Sequence, residues 1–142
     1  MHPLRSVPEL TEEAYEKLAD LLEHARVAGT PFIVEGKQDA AALRTLGITN
    51  VRTLNRALYA IVEAVAARDH TCIVLTDLDA EGRKLYTRIA SELRANGVAV
   101  DDTIRRFLFK NTELRQIEGF PRYLERWRRK LYKGAVRATK DS

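Results

Sequence analysis

Cys72-Ile73-Val74-Leu75-Thr76-Asp77-Leu78-Asp79-Ala80-Glu81-Gly82 is the stretch whose character decides the fold. Four apolar residues run without interruption, and then three acids fall within five positions before a glycine. A short apolar run bounded by turn residues is what a strand buried on both faces of a parallel sheet looks like. About forty residues upstream the pattern recurs: Phe32-Ile33-Val34 runs into Glu35, Gly36, Lys37 and Asp39. Ligands of open α/β sheets bind beyond the carboxyl ends of such strands. Carboxylates gathered there repel one another, so the pattern calls for a positive partner. A divalent cation with oxygen ligands, Mg²⁺ in the first place, fits that need.

Outward from these strands the chain alternates between helical and extended patterns. A helix is predicted from Thr11 to about Ala28, with Leu18, Leu21, Leu22 and Ala25 on one face and Thr11 as its cap. Short helices are expected over Ala40–Leu46 and about Asn55–Arg68, and a longer one over Ala80–Ala95. Minor strands are expected around Asn50–Leu54 and Val98–Val100. From Asp101 the pattern is helical and basic, with breaks near Asn111 and Gly119–Pro121. Strand–helix alternation implies a doubly wound α/β sheet with helices on both faces. The expected organisation is an N-terminal helix (1–28), a central α/β domain (28–110) and a basic helical extension (111–142).

Composition narrows the function. The 142 residues carry a net charge of +4, unevenly placed. Residues 101–142 hold 12 Lys/Arg against 6 Asp/Glu, whereas residues 1–100 hold 12 against 14. A basic region of this kind favours a polyanion such as nucleic acid, or else is a solvated face. No stretch approaches the roughly 18 apolar residues of a membrane span. Met1-His2-Pro3-Leu4-Arg5 lacks the apolar core of a signal peptide. One cysteine and three scattered histidines exclude an internal disulfide and do not make a zinc site. A reducing cytoplasm fits such a lone thiol.

The acids have two readings. Asp77 and Asp79, two apart, share a face if the backbone stays extended, and Glu35 arrives opposite them if the two apolar strands are neighbours. Gly36 and Gly82 would let the backbone turn closely there. Alternatively, Asp39, Asp77 and Asp79 could each cap a following helix. Capping accounts for one acid per turn, not for three in five residues. Lys37 could contact phosphate or pair with Glu35 or Asp39, and Arg83 and Lys84 stand where flanking phosphates would lie.

Val34-Glu35-Gly36-Lys37-Gln38-Asp39 and Leu75-Thr76-Asp77-Leu78-Asp79-Ala80-Glu81-Gly82 resemble the two signature motifs of the toprim domain, in the right order and each after an apolar strand. The resemblance covers about residues 28–110 and implies a Rossmann-like domain with a four-stranded, mostly parallel sheet. It further implies Glu35 as general acid/base and Asp77 and Asp79 as Mg²⁺ ligands, with Mn²⁺ able to substitute. Glu81 matches a third acid found in only part of the family. The extra domains of topoisomerases, primases and OLD-type nucleases do not fit in these 142 residues. What remains resembles small stand-alone toprim proteins and, more distantly, ribosomal-RNA maturases. The activity so implied is Mg²⁺-dependent cleavage of structured RNA such as ribosomal RNA, RNA before DNA, with a non-catalytic RNA- or ribonucleoprotein-binding module, or a subunit of a larger nucleic-acid enzyme, as the alternative.

In the basic extension Arg122, Arg126, Arg129 and Lys133 recur at helical spacing and could contact phosphates. Tyr123, Trp127 and Leu131 form a neighbouring stripe. An i, i+4, i+8 stripe is expected to dock the helix rather than stack bases.

Overall fold

The computed structural model describes residues 11–140, with side chains through Lys133; residues 1–10 of the predicted N-terminal unit and residues 141–142 lie outside the described residues. The elements run α1 (Glu12–Ala28), β1 (Phe32–Val34), α2 (Lys37–Thr45), β2 (Val51–Thr53), α3 (Leu58–Ala66), β3 (Thr71–Val74), α4 (Ala80–Ala95), β4 (Ala99–Val100), α5 (Thr103–Asn111), a 3₁₀ turn (Ile117–Gly119) and α6 (Phe120–Lys140). The sheet order is β2-β1-β3-β4 and all three pairings are parallel.

Side chains alternate along the two central strands, and each face receives its own core. Phe32, Val34, Ile73 and Leu75 pack on one face with Leu18 and Leu22 of α1, Leu43 of α2, Leu108 of α5 and Trp127 of α6. Ile33, Cys72 and Val74 pack on the other with Ile61, Val62 and Val65 of α3 and Ile89 and Leu93 of α4. The uninterrupted apolar runs are thus explained: no position in β1 faces water. The chain leaves β1 through α2 on one face and leaves β3 through α4 on the other. The crevice between the ends of β1 and β3 is therefore the topological switch point, where open α/β sheets place their ligands.

Trp127 is completely buried and meets Tyr15 of α1 edge-on, with ring centroids 5.5 Å apart. The aromatic stripe of α6 docks, as its spacing predicts. Two boundaries differ from expectation. Helix α2 begins at Lys37 rather than Ala40, because Asp39 accepts the Gly36 N–H at 3.2 Å and so acts from inside the first turn. Helix α3 begins three residues late, after an Asn55–Arg56 turn. Among the described residues no helix is long and apolar enough to cross a membrane.

Candidate metal and nucleic-acid site

Strands β1 and β3 are neighbours, so their acidic ends meet. Beyond the last paired residues the Leu75 N–H still bonds the Ile33 carbonyl at 2.8 Å, which keeps the two chains together into the crevice. There the Asp77 N–H donates to Glu35 Oε1 at 3.3 Å. Asp77 Oδ1 in turn accepts the Ile117 N–H at 2.9 Å, and Leu78 N–H donates to the Arg115 carbonyl at 2.7 Å. Asp79 caps α4, its Oδ1 accepting the Gly82 N–H at 2.7 Å. Each of these three carboxylates commits one oxygen to a backbone amide, which fixes its orientation.

Gly82 is required for this arrangement. A Cβ built there would lie 1.9 Å from the Asp77 carbonyl oxygen. The Gly82 carbonyl also accepts the Thr76 hydroxyl at 2.6 Å, drawing α4 tightly around the Asp77 loop. Gly36 is different from what its place in the motif suggests. Its backbone is extended (φ −144°, ψ −176°), a conformation open to any residue, and a Cβ would meet nothing within 4 Å.

Asp39 joins the acidic group. Burial raises its carboxyl above the ordinary value; the Gly36 N–H opposes this, and the charges of Asp77, Glu35 and Glu118 add to the rise. Lys37 is exposed in the first turn of α2. Glu81 is exposed and pairs with Lys84 at 3.8 Å. Arg83 lines a cavity of about 940 Å³ beside Asp79, between α1, α4 and α5. On the other side a groove of about 410 Å³ brings Asp79 together with Arg122 and Arg126. Arg129 pairs with Glu125 at 3.1 Å and is not part of that groove.

Sequence reasoning missed Arg105. It is only 9% exposed and donates to the Thr76 carbonyl (2.6 Å), the Thr76 hydroxyl (3.1 Å) and the Asp77 carbonyl (3.0 Å). Its guanidinium carbon lies 4.6 Å from the centre of the Tyr86 ring. Burial lowers its affinity for its proton, and Tyr86, Asp77 and Asp79 offset part of that. One signal was available: Arg105 stands beside Ile104 and three residues before Leu108, on the buried side of α5. The Ile117 amide on Asp77 and the Glu118 charge acting on Asp39 were also missed, because only the folded chain brings them there.

The donor chemistry fits a hard divalent cation. The acids supply oxygen ligands, and Asp39 registers their mutual repulsion. As arranged, no group of three or more His, Cys, Asp or Glu side chains among the described residues is gathered closely enough to hold a metal ion.

An all-parallel α/β sheet with acids at its switch point defines a phosphate- or metal-handling class rather than one protein. Residues 30–112 match the family model of the Toprim domain, and the chain belongs to the Toprim family. Toprim domains are nucleic-acid-related and typically bind divalent metal. The chain is 34% identical over 122 residues to a UPF0292 protein of Methanocaldococcus jannaschii, covering 81% of this chain and 95% of that one. It is 33% identical over 108 residues to a UPF0292 protein of Thermococcus gammatolerans, covering 75% and 80%. Among solved structures, a putative protein from Aquifex aeolicus superposes with a TM-score of 0.66 at 29% identity, covering 72% of this chain and 94% of that one.

Proposed function

We propose that this protein is a Mg²⁺-dependent phosphodiesterase acting on nucleic acid, on structured RNA in particular. The observation that carries the proposal is the meeting of Glu35 with the Asp77 backbone across β1 and β3, beside Asp79. A Mg²⁺ ion, or Mn²⁺ in its place, held by Asp77 and Asp79 with Glu35 as a further oxygen donor would neutralise charge on the scissile phosphate. Glu81 joins that set only by leaving Lys84, a surface pairing worth about 0–1 kcal/mol. Glu35 takes the proton of the attacking water or returns one to the departing oxygen. Lys37 steadies developing negative charge from the start of α2. Arg83, Arg122 and Arg126 contact flanking phosphates, and Lys84 and Arg129 do so after exchanging Glu81 and Glu125 for phosphate. A cytoplasmic location suits the lone, buried Cys72 thiol.

One observation favours a second reading. The described acids do not gather three to a site, and Asp77 and Asp79 each have a structural amide partner. A domain that grips RNA or a ribonucleoprotein without cutting it would need no more. Incubation of the pure protein with RNA and DNA substrates and Mg²⁺ or Mn²⁺ separates the two. Cleavage that disappears in Asp77→Asn and in Glu35→Gln supports the enzyme, since both changes keep a carbonyl oxygen for the amide bonds. Cleavage unchanged in both variants removes this mechanism, and tight binding without any cleavage supports the module.

A further inference from the structure

Asp79 is shared by two depressions of different character. The groove on the α6 side is the more polar of the two, with Arg122 and Arg126. The larger cavity on the other side is walled by the rings of Tyr86, Phe107 and Phe109 and by Leu78. Its about 940 Å³ falls within the usual size of small-ligand clefts, about 300–1,000 Å³. Lys17, Arg83 and Lys110 line it and make no ion pair among the described residues, whereas Arg106 is matched by Asp102 at 3.1 Å. The Arg105 guanidinium, which also lines the cavity, lies 4.6 Å from the centre of the Tyr86 ring and helps hold this wall in place. Phe109 is 41% exposed, and the Arg115 guanidinium lies 5.3 Å from its ring centre.

Aromatic walls take flat π-surfaces, and unpaired cations take phosphate. A duplex keeps its bases stacked and can offer one here only by extruding it. We infer that this cavity receives an unpaired nucleobase from a strand whose phosphate lies at Asp79, with the strand continuing along Arg122 and Arg126. The inference rests on the proposed function for the phosphate at Asp79; the cavity adds that the substrate is single-stranded at that point.

Binding in EDTA tests it without requiring cleavage. Fluorescence anisotropy would compare a short labelled oligouridine, its deoxythymidine counterpart and a duplex of equal length. Single strands are expected to bind more tightly than duplex. Phe109→Ala and Lys110→Glu should each weaken single-strand binding by about tenfold, the first through loss of one stacked base and the second through loss of one phosphate contact. Tyr59→Ala, on the exposed face of α3, should change nothing. Should Phe109→Ala fold poorly, Lys110→Glu on the rim carries the test. Equal affinity for duplex and single strand, or affinity within twofold of the parent in both cavity variants, overturns the inference. Metal-dependent cleavage alongside that result leaves the proposed function standing, while selective single-strand binding without cleavage leaves the cavity assignment standing.

Discussion

Gly82→Ala is expected to destabilise the protein despite placing a better helix former in α4. Alanine in a helix interior gains about 1 kcal/mol over glycine. Against this stands a Cβ placed 1.9 Å from the Asp77 carbonyl oxygen, 2.5 Å from its carbonyl carbon and 2.9 Å from its Cα. A relaxed carbon–oxygen contact is about 3.3 Å, so the loop and helix must separate by about 1.4 Å. That displacement exceeds what the Thr76 hydroxyl bond to Gly82 (2.6 Å) and the Asp79 cap on Gly82 N–H (2.7 Å) can follow. Losing the two bonds costs about 1 kcal/mol each, and overpacking adds about 1–3 kcal/mol. The net loss is about 2–4 kcal/mol, or about 10 °C in Tm for a chain of this length. Thermal melts in EDTA, followed by circular dichroism, read the effect without any contribution from metal. Gly36→Ala is the control: the extended backbone and open space there predict a melt close to the parent's. A Gly82→Ala protein melting within about 2 °C of the parent would show that α4 does not clamp the Asp77 loop in this way.

Further outcomes follow from two buried groups. Arg105→Met should strand the Thr76 and Asp77 carbonyls and cost about 3 kcal/mol, with Arg105→Lys intermediate because an ammonium cannot span three acceptors set in a fork; a Met variant as stable as the parent in denaturant titration would refute this positioning role. Burial pushes the Cys72 thiol up from 9.0 to about 12, with Asp69 adding to the rise. The folded protein should therefore resist iodoacetamide at pH 8 and react fully once unfolded. The sign of the linked stability follows, since above pH 9 the unfolded thiol loses its proton while the folded one keeps it. Stability should thus fall with rising pH up to about 12, by as much as about 1.4 kcal/mol per pH unit, and a Cys72→Ala variant should lack that component.

The central strands were legible because burial on both faces leaves no room for polar alternation, and Phe32–Val34 and Cys72–Leu75 show none. Helix α4 was legible, since Leu85, Ile89 and Leu93 form a clear apolar face that ends just before Gly97. Strand β2 was faint because it is an edge strand: Val51, Arg52 and Thr53 are all half-buried and carry no periodic signal. Sequence could name Glu35, Asp77 and Asp79 but not the contact of Glu35 with the Asp77 backbone, which depends on β1 and β3 being neighbours. Nor could it show what orients them. Arg105 sits among Arg106 and Lys110 in a basic helix, and its place beside Ile104 and before Leu108 was the one sign that it is the buried member. Gly82 and Gly36 occupy equivalent-looking places in their motifs, yet steric demand falls on Gly82 alone.

The segment after α5 gives the basic extension its connection to the acids. Thr112 is buried and its hydroxyl caps the end of α5 by bonding the Leu108 carbonyl. The chain then runs alongside the Asp77 loop, with Leu78 N–H on the Arg115 carbonyl and Ile117 N–H on the Asp77 carboxylate. Buried Ile117 and Phe120 follow, and Trp127 seats α6 against Tyr15. The amide that orients Asp77 and the arginines that share a groove with Asp79 therefore come from one continuous stretch. Its apolar side chains fix the helix; its backbone fixes the carboxylate; its exposed guanidinium groups face the same depression. Carboxylates alone would repel a polyanion. Cations alone would bind one without placing any particular phosphate. On the function proposed above, tying both to the same packed segment would let the basic surface draw a strand in while the β1–β3 crevice determined which phosphate met Asp77 and Asp79.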